Sequence, residues 1–241
     1  MAINQKFDNR LLQAFMQGFY GYGNFEGEYW FVGMEEGGGN SFHEVNQRFE
    51  IWDSLGRGEL LDVAQFHLKL GMPEFFTEPV KLQSTWNKVI RIILSAEGEK
   101  VSLSSVRKYQ KNNLGRKDSN SCLIELLPLP SPSTKKWLYA EHTDLPFLRN
   151  REAYRDYAIP WRIVRIREGI EKYCPRAVVF YGMVYQEWWK EIADLEYRPF
   201  EQYDFLVANS QATKFIMSKH PVAMGVTNEY FHRIGRVISE Y

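Results

Sequence analysis

The chain is short of most features that announce a function. Two cysteines in 241 residues, Cys122 and Cys174, exclude a disulfide framework and an iron–sulfur cluster. No apolar run approaches the ~20 residues that span a bilayer, so no membrane segment is expected. The opening Met1-Ala-Ile-Asn-Gln-Lys-Phe-Asp-Asn9 has no apolar core of a signal peptide, which points to a cytoplasmic protein. Lysine plus arginine equals aspartate plus glutamate, 30 against 30, so no global field draws nucleic acid, and any such binding must rest on local patches. His43, His67, His142 and His232 show no metal-ligand spacing, and neither a metal nor a cofactor is expected.

What the chain has in quantity is aromatic residues, 15% of the total, and enough length for one large domain spanning residues 1–241. Short, nearly continuous apolar runs at Tyr29–Met34, Cys122–Leu129 and Ala177–Gly182 read as buried strands, with further candidates at Tyr203–Ala208 and Lys214–Met217. Helical periodicity covers Phe7–Phe19, the stretch after Asn40 or Ser41 with Glu44 placed for a capping box, Leu60–Leu70, Thr85–Leu94, Tyr157–Tyr173, a Trp188–Trp189 helix and about Asn228–Ser239. Tyr20, Tyr22 and Phe25 sit among glycines, either as an aromatic loop on the core or as a base-stacking surface. Strand and helix alternate, which predicts an α/β fold: a three-layer α/β/α sandwich around a central, mainly parallel four-stranded sheet.

Three features carry chemistry. The first is Tyr29-Trp-Phe-Val-Gly-Met-Glu-Glu-Gly-Gly-Gly-Asn40, a strand that runs into two carboxylates and a glycine triplet. It is not a phosphate loop, since no Gly-Lys-Ser/Thr follows and carboxylates at its entrance repel phosphate. The second is Glu125, one carboxylate inside an apolar strand; unpaired burial is costly, so it faces a polar cavity or meets a base. The third is Lys100–Lys117, where Lys108, Lys111, Arg116 and Lys117 stand among serines and asparagines. This stretch reads either as a solvated linker or as a basic strip along a phosphate backbone.

In order along the chain, Phe31-Val-Gly-Met-Glu-Glu-Gly37, Asn120-Ser-Cys-Leu-Ile-Glu-Leu-Leu-Pro-Leu129 and His220-Pro221 resemble the three motifs of the uracil-DNA glycosylase superfamily. The first is similar to the Gly-Met-Asn-Pro-Gly of its single-strand-selective branch. The second is similar to the strand that reads the flipped base, and the third to the start of the intercalating loop. Departures are Glu35 in place of asparagine or aspartate, Glu36 in place of proline, Glu125 in place of the base-reading asparagine, and Val222-Ala223 in place of Ser-Pro.

The resemblance implies a DNA glycosylase that flips a nucleotide into its pocket and leaves an abasic site, in repair or in antiviral defence. It implies that His220 donates to the base O2 and that Glu35 stabilises the sugar cation or activates water. Gly33, Met34, Glu36, Gly37, Gly38 and Glu125 would form the base pocket, with Met224 as an apolar wedge in DNA. A carboxylate at 125 only accepts hydrogen bonds, which favours the exocyclic amine of a cytosine derivative over uracil. Ordinary uracil excision and an inactive nucleic-acid binder remain the alternatives, and a monomer is expected.

Overall fold

The computed structural model describes residues 5–133, 135–200 and 203–240, so the first four residues of the N-terminal stretch read above lie outside it. Eight strands form one mixed sheet: β1 (Gly21–Gly23), β2 (Tyr29–Glu35), β3 (Leu60–Leu61), β4 (Ser121–Leu127), β5 (Ala177–Tyr181), β6 (Arg198–Phe200), β7 (Tyr203–Asn209) and β8 (Lys214–Ser218), in the order β3-β1-β4-β2-β5-β8-β7-β6. The helices are α1 (Asn9–Gly18), α2 (Phe42–Ser54), α3 (Val63–Lys69), α4 (Ser84–Ala96), α5 (Leu103–Asn112), α6 (Tyr139–His142), α7 (Arg151–Tyr173), α8 (Gln186–Ala193) and α9 (Asn228–Ser239).

The expected four-stranded sheet is therefore corrected to eight mixed strands. Its centre is the run β4-β2-β5-β8, whose neighbours are all parallel. β1 joins β4 antiparallel on one side, and β7 joins β8 antiparallel on the other. The additional strands escape pattern reading because they are short: β1, β3 and β6 have three, two and three residues. β1 lies in the glycine-rich stretch expected to be a loop. A Cβ at Gly21 would sit 2.0 Å from the Leu123 carbonyl oxygen, and without it the backbone closes onto β4.

β2, β4 and β5 are buried along nearly their whole length, and the exceptions are glutamates, Glu35 and Glu125. Strands buried at successive residues have both faces covered, which is why they read as continuous apolar runs rather than alternating ones. Trp30, Val32, Leu126, Val178, Phe180 and Ile216 join one contiguous core. α4 packs chiefly on α9, where a Cβ at Gly235 would collide with the Ile92 carbonyl.

Several helix boundaries differ from those the sequence predicts. α7 starts at Arg151 rather than Tyr157, because the Asn150 side chain caps it by accepting from the Ala153 amide. Pro160 lies inside that helix. Leu60–Leu70 divides into β3 and α3, separated by Asp62, which caps α3 by accepting from the Gln65 amide. The stretch read as a linker or basic strip contains α5, started by a reciprocal capping box between Ser102 and Ser105 and anchored by buried Val106 and Gln110. Gln110 donates to the carbonyls of Phe75 and Lys81, so the polar composition of this stretch hides a tertiary contact. No helix among the described residues is long and apolar enough to cross a membrane.

Candidate functional site

The C-terminal ends of β2 and β5, the last part of β4 and the loop after β8 surround a cleft of about 610 Å³. This is where open α/β sheets bind ligands, because the chain leaves each strand there in a loop free to carry polar groups. Glu35, Glu36, Gly37 and Gly38 line one wall, Glu125 and Tyr181 the floor, and His220 and Val222 a third side. Trp86, Phe75 and Met72 supply an apolar wall from α4 and the segment before it.

Each acidic group has its own environment. Glu35 receives Arg151 Nη1 on both oxygens, at 2.6 and 2.7 Å. Burial still raises its pKa above the usual carboxylate value, against the pull of Arg151. Arg151 also donates to Ser131 Oγ and to the carbonyls of Ser133 and Lys136, and its guanidinium lies 5.1 Å from the Trp137 ring centroid. Glu35 therefore belongs to a clamp that holds the loop after β4.

Glu36 accepts from Arg48 Nη1 at 2.9 Å and from the Tyr22 hydroxyl at 3.1 and 3.0 Å. His67 Nδ1 lies 2.8 Å from the Val63 carbonyl and so carries the donated proton, while its Nε2 lies 3.6 Å from Glu36. Burial pushes the Glu36 carboxyl up, but Arg48, His67 and Tyr22 outweigh it and bring its pKa to about 2. Arg48 also meets Glu44, which accepts the Gly39 and Asn40 amides at 2.9 Å each and fixes the glycine loop. Ser41 accepts from the Glu44 amide, as in a capping box, but the Glu44 side chain serves the glycine loop rather than the cap residue.

Glu125 has no cation. Its Oε1 accepts from Tyr181 Oη at 3.3 Å, and its Oε2 is sealed from solvent with no partner. The nearby arginine, Arg162, is spent on backbone carbonyls, those of Glu125, Leu126 and Phe19. Burial and the neighbouring Glu36 drive the Glu125 carboxyl well above the carboxylate range. A carboxyl that keeps its proton would both donate and accept, whereas a carboxylate only accepts.

His220 Nδ1 accepts the Val222 amide at 3.3 Å, which leaves Nε2 as the protonated nitrogen of a neutral ring. Burial lowers its pKa from the ordinary histidine value, which favours the neutral ring. Its ring meets Tyr181 edge-on, centroids 5.6 Å apart, so Tyr181 touches both Glu125 and His220.

Of the residues singled out by sequence, Glu35, Glu36, Gly37, Gly38, Glu125 and His220 come together. Gly33 lies beneath them, opposite Glu125 in register, whereas Met34 is buried in the core and absent from the cleft lining. Met224 is fully exposed in the loop after His220. The basic residues do not reach the cleft. Lys108 is exposed on α5, Lys111 pairs with Glu78 at 3.0 Å and Arg116 with Asp62 at 2.9 Å. Lys117 lines a separate groove with Asn24 and Phe25, and it precedes β4 at the opposite end from the cleft.

Sequence reading missed Tyr181, Arg48, His67 and Arg151. Tyr181 had a signal, as the polar tip of a strand ending in glycine. Arg48 had a weaker one, four residues after Glu44 on the same helix face. Arg151 had none, since it meets Glu35 across 116 residues. Among the described residues no group of three or more His, Cys, Asp or Glu is arranged to hold a metal ion. No family model, curated protein or solved structure matches this chain.

Proposed function

We propose that the chain is a DNA glycosylase, which takes a flipped-out base, foremost a modified cytosine, into the cleft and hydrolyses its glycosidic bond. The observation that carries this reading is the meeting of Glu125, Tyr181 and His220, from two strands and a strand-end loop, in one cleft beside Glu35. A neutral imidazole that presents Nε2–H suits negative charge building on a departing base. A volume near 610 Å³ is in the range of small-molecule pockets and admits a nucleoside. The parallel order β4-β2-β5-β8 supports a three-layer α/β/α arrangement, with the ligand edge at the point where strand order reverses. Fully exposed Met224, four residues beyond His220, suits an apolar wedge. The reading requires no cofactor, and it places a monomer on DNA in the cytoplasm, in repair or in defence.

The test is release of a base from oligonucleotides carrying uracil, hydroxymethylcytosine or glucosylated hydroxymethylcytosine, read as alkali-labile strand breaks. Breaks on one of these, abolished by His220→Ala, support the proposal. Uracil as the sole substrate would replace the cytosine assignment with ordinary uracil excision.

One observation favours a second reading. Glu35 has both oxygens engaged by Arg151, so it is not free to activate water. A binder of flipped or single-stranded nucleic acid without catalysis fits that constraint. Retention of an oligonucleotide with no breaks on any substrate would select it.

A further inference from the structure

Three carboxyl groups meet at this cleft, and the arginines are not shared evenly. Arg151 serves Glu35 and Arg48 serves Glu36. Glu125 is left with a tyrosine hydroxyl on Oε1 and nothing on Oε2. An ionised carboxylate sealed beside two others without a counter-ion is strongly disfavoured, and the group keeps its proton instead. With Oε1 accepting from Tyr181, the proton resides on Oε2, and a sealed donor without an acceptor is an unmet hydrogen bond in a site built to hold something.

We propose that Glu125 enters the cleft as a neutral carboxylic acid, turns its sealed Oε2–H off Gly33 toward the cleft when a pyrimidine base enters, pairs it with an acceptor on the base edge, and transfers that proton to the base as the glycosidic bond breaks. The transfer step rests on the glycosylase reading; the pairing step does not. A carboxylic acid offers one donor beside one acceptor, the pattern that complements a pyrimidine edge. On cytosine it donates to N3 and accepts from N4–H; on uracil it donates to O4 and accepts from N3–H.

In the chemical step the C1′–N bond breaks, its electron pair goes to the base, and the Oε2 proton neutralises the negative charge arriving there. Water adds to C1′ and loses a proton, which returns Glu125 to its acid form directly or through solvent. No oxidant or further reactant enters, and the net change is hydrolysis.

The groups that face Glu125 all bear on this assignment. Tyr22 approaches from β1, Glu35 from the end of β2 and Glu36 from just after it, Tyr181 from β5, Arg162 from α7 and His220 from the loop after β8. The carboxylates oppose ionisation of Glu125. The Tyr181 hydrogen bond favours it, and Arg162 does so more weakly, because its donors are committed to main-chain carbonyls. Burial works in the same direction as the carboxylates.

Two measurements on the full chain test the proposal. Carbon-13 NMR follows the Glu125 side-chain carboxyl from about pH 4 to about pH 9, assigned with Glu125→Gln. Calorimetry follows binding of free cytosine and free uracil to the wild type, Glu125→Gln, Glu125→Ala and Tyr181→Phe. We expect a protonated carboxyl at neutral pH and binding of one of the two bases. Glu125→Ala should bind about tenfold more weakly or worse, and Glu125→Gln, which keeps a donor and an acceptor, within about threefold of wild type.

A carboxyl ionised at neutral pH, or no binding of either base, overturns the proposal. On an oligonucleotide the wild type cleaves, Glu125→Gln should release base ~100-fold more slowly while still binding. Undiminished release overturns the proton transfer and leaves the glycosylase reading standing. No release by the wild type from any oligonucleotide, with base binding intact, overturns the glycosylase reading and the transfer together, while pairing by the neutral acid stands on the calorimetry.

Discussion

Gly33 lies directly across from Glu125 in the parallel pair β2–β4, and its missing side chain is what makes room for the Glu125 carboxyl. A Cβ there would lie 2.5 Å from Glu125 Oε2 and 2.4 Å from the Tyr181 hydroxyl. The floor of the cleft therefore depends on a residue with no functional group.

Gly33→Ala should overfill that floor. The expected cost is ~1–3 kcal/mol of unfolding free energy, from displacement of Tyr181 and Glu125. Urea denaturation measures the stability change, and loss of base binding in the folded variant reports the displaced carboxyl. An unchanged midpoint with unchanged binding would mean the strand shifts freely at this point.

Glu36 should give the fold an acid-sensitive component. Its folded pKa, about 2, lies below its unfolded value near 4.5, so its contribution is present above the unfolded value and is lost as pH falls through the folded one. The window runs from about pH 5 down to about pH 2, with a size on the order of 3 kcal/mol. Arg48→Met should remove that slope and destabilise by ~3–5 kcal/mol at neutral pH, since a buried carboxylate loses its cation. Thermal melts of both proteins across the acid range check the prediction.

Glu125 should behave in the opposite sense. Its folded pKa lies above the unfolded value, so the folded state holds a proton that the unfolded state has released. Stability then falls as pH rises beyond about 4.5. Glu125→Gln, which has nothing to ionise, should be more stable than wild type at pH near 8 and should lose this part of the slope. Equal stability of the two proteins from acid to alkaline pH would count against a neutral Glu125.

Arg151→Lys should loosen the clamp on Glu35. A lysine cannot reproduce the set of bonds to Glu35, Ser131, Ser133 and Lys136 that the planar guanidinium makes. We expect a loss of ~2–3 kcal/mol and faster amide exchange in the described residues between β4 and α6. Exchange rates identical to wild type would remove Arg151 as the organiser of that loop.

Met224→Ala should leave stability within ~0.5 kcal/mol, because the side chain is fully exposed. Binding to duplex DNA should weaken, since an apolar wedge between base steps would be lost. Undiminished binding would exclude the wedge.

The buried strands were legible in the sequence because β2, β4 and β5 are covered on both faces and so show unbroken apolar runs. The helix Asn228–Ser239 was legible because its apolar stripe repeats at helical spacing, and Thr227 caps it. The same local signals placed Glu35, Glu36, Glu125 and His220 at or near strand ends. Local signals end where chain neighbours end. β1, β3 and β6 are too short to carry a period, and α5 draws its stability from contacts of Gln110 with residues far back along the chain.

Charge state was the part that only tertiary structure decided. Sequence lists three acidic residues of the same type, each an acceptor by default. Folding gives Arg151 to Glu35 and Arg48 to Glu36, and it turns Arg162 to main-chain carbonyls, leaving Glu125 without a cation. Ionisation depends on solvent and counter-ions within a few ångströms, and those distances exist only once strands and helices remote in sequence have packed together.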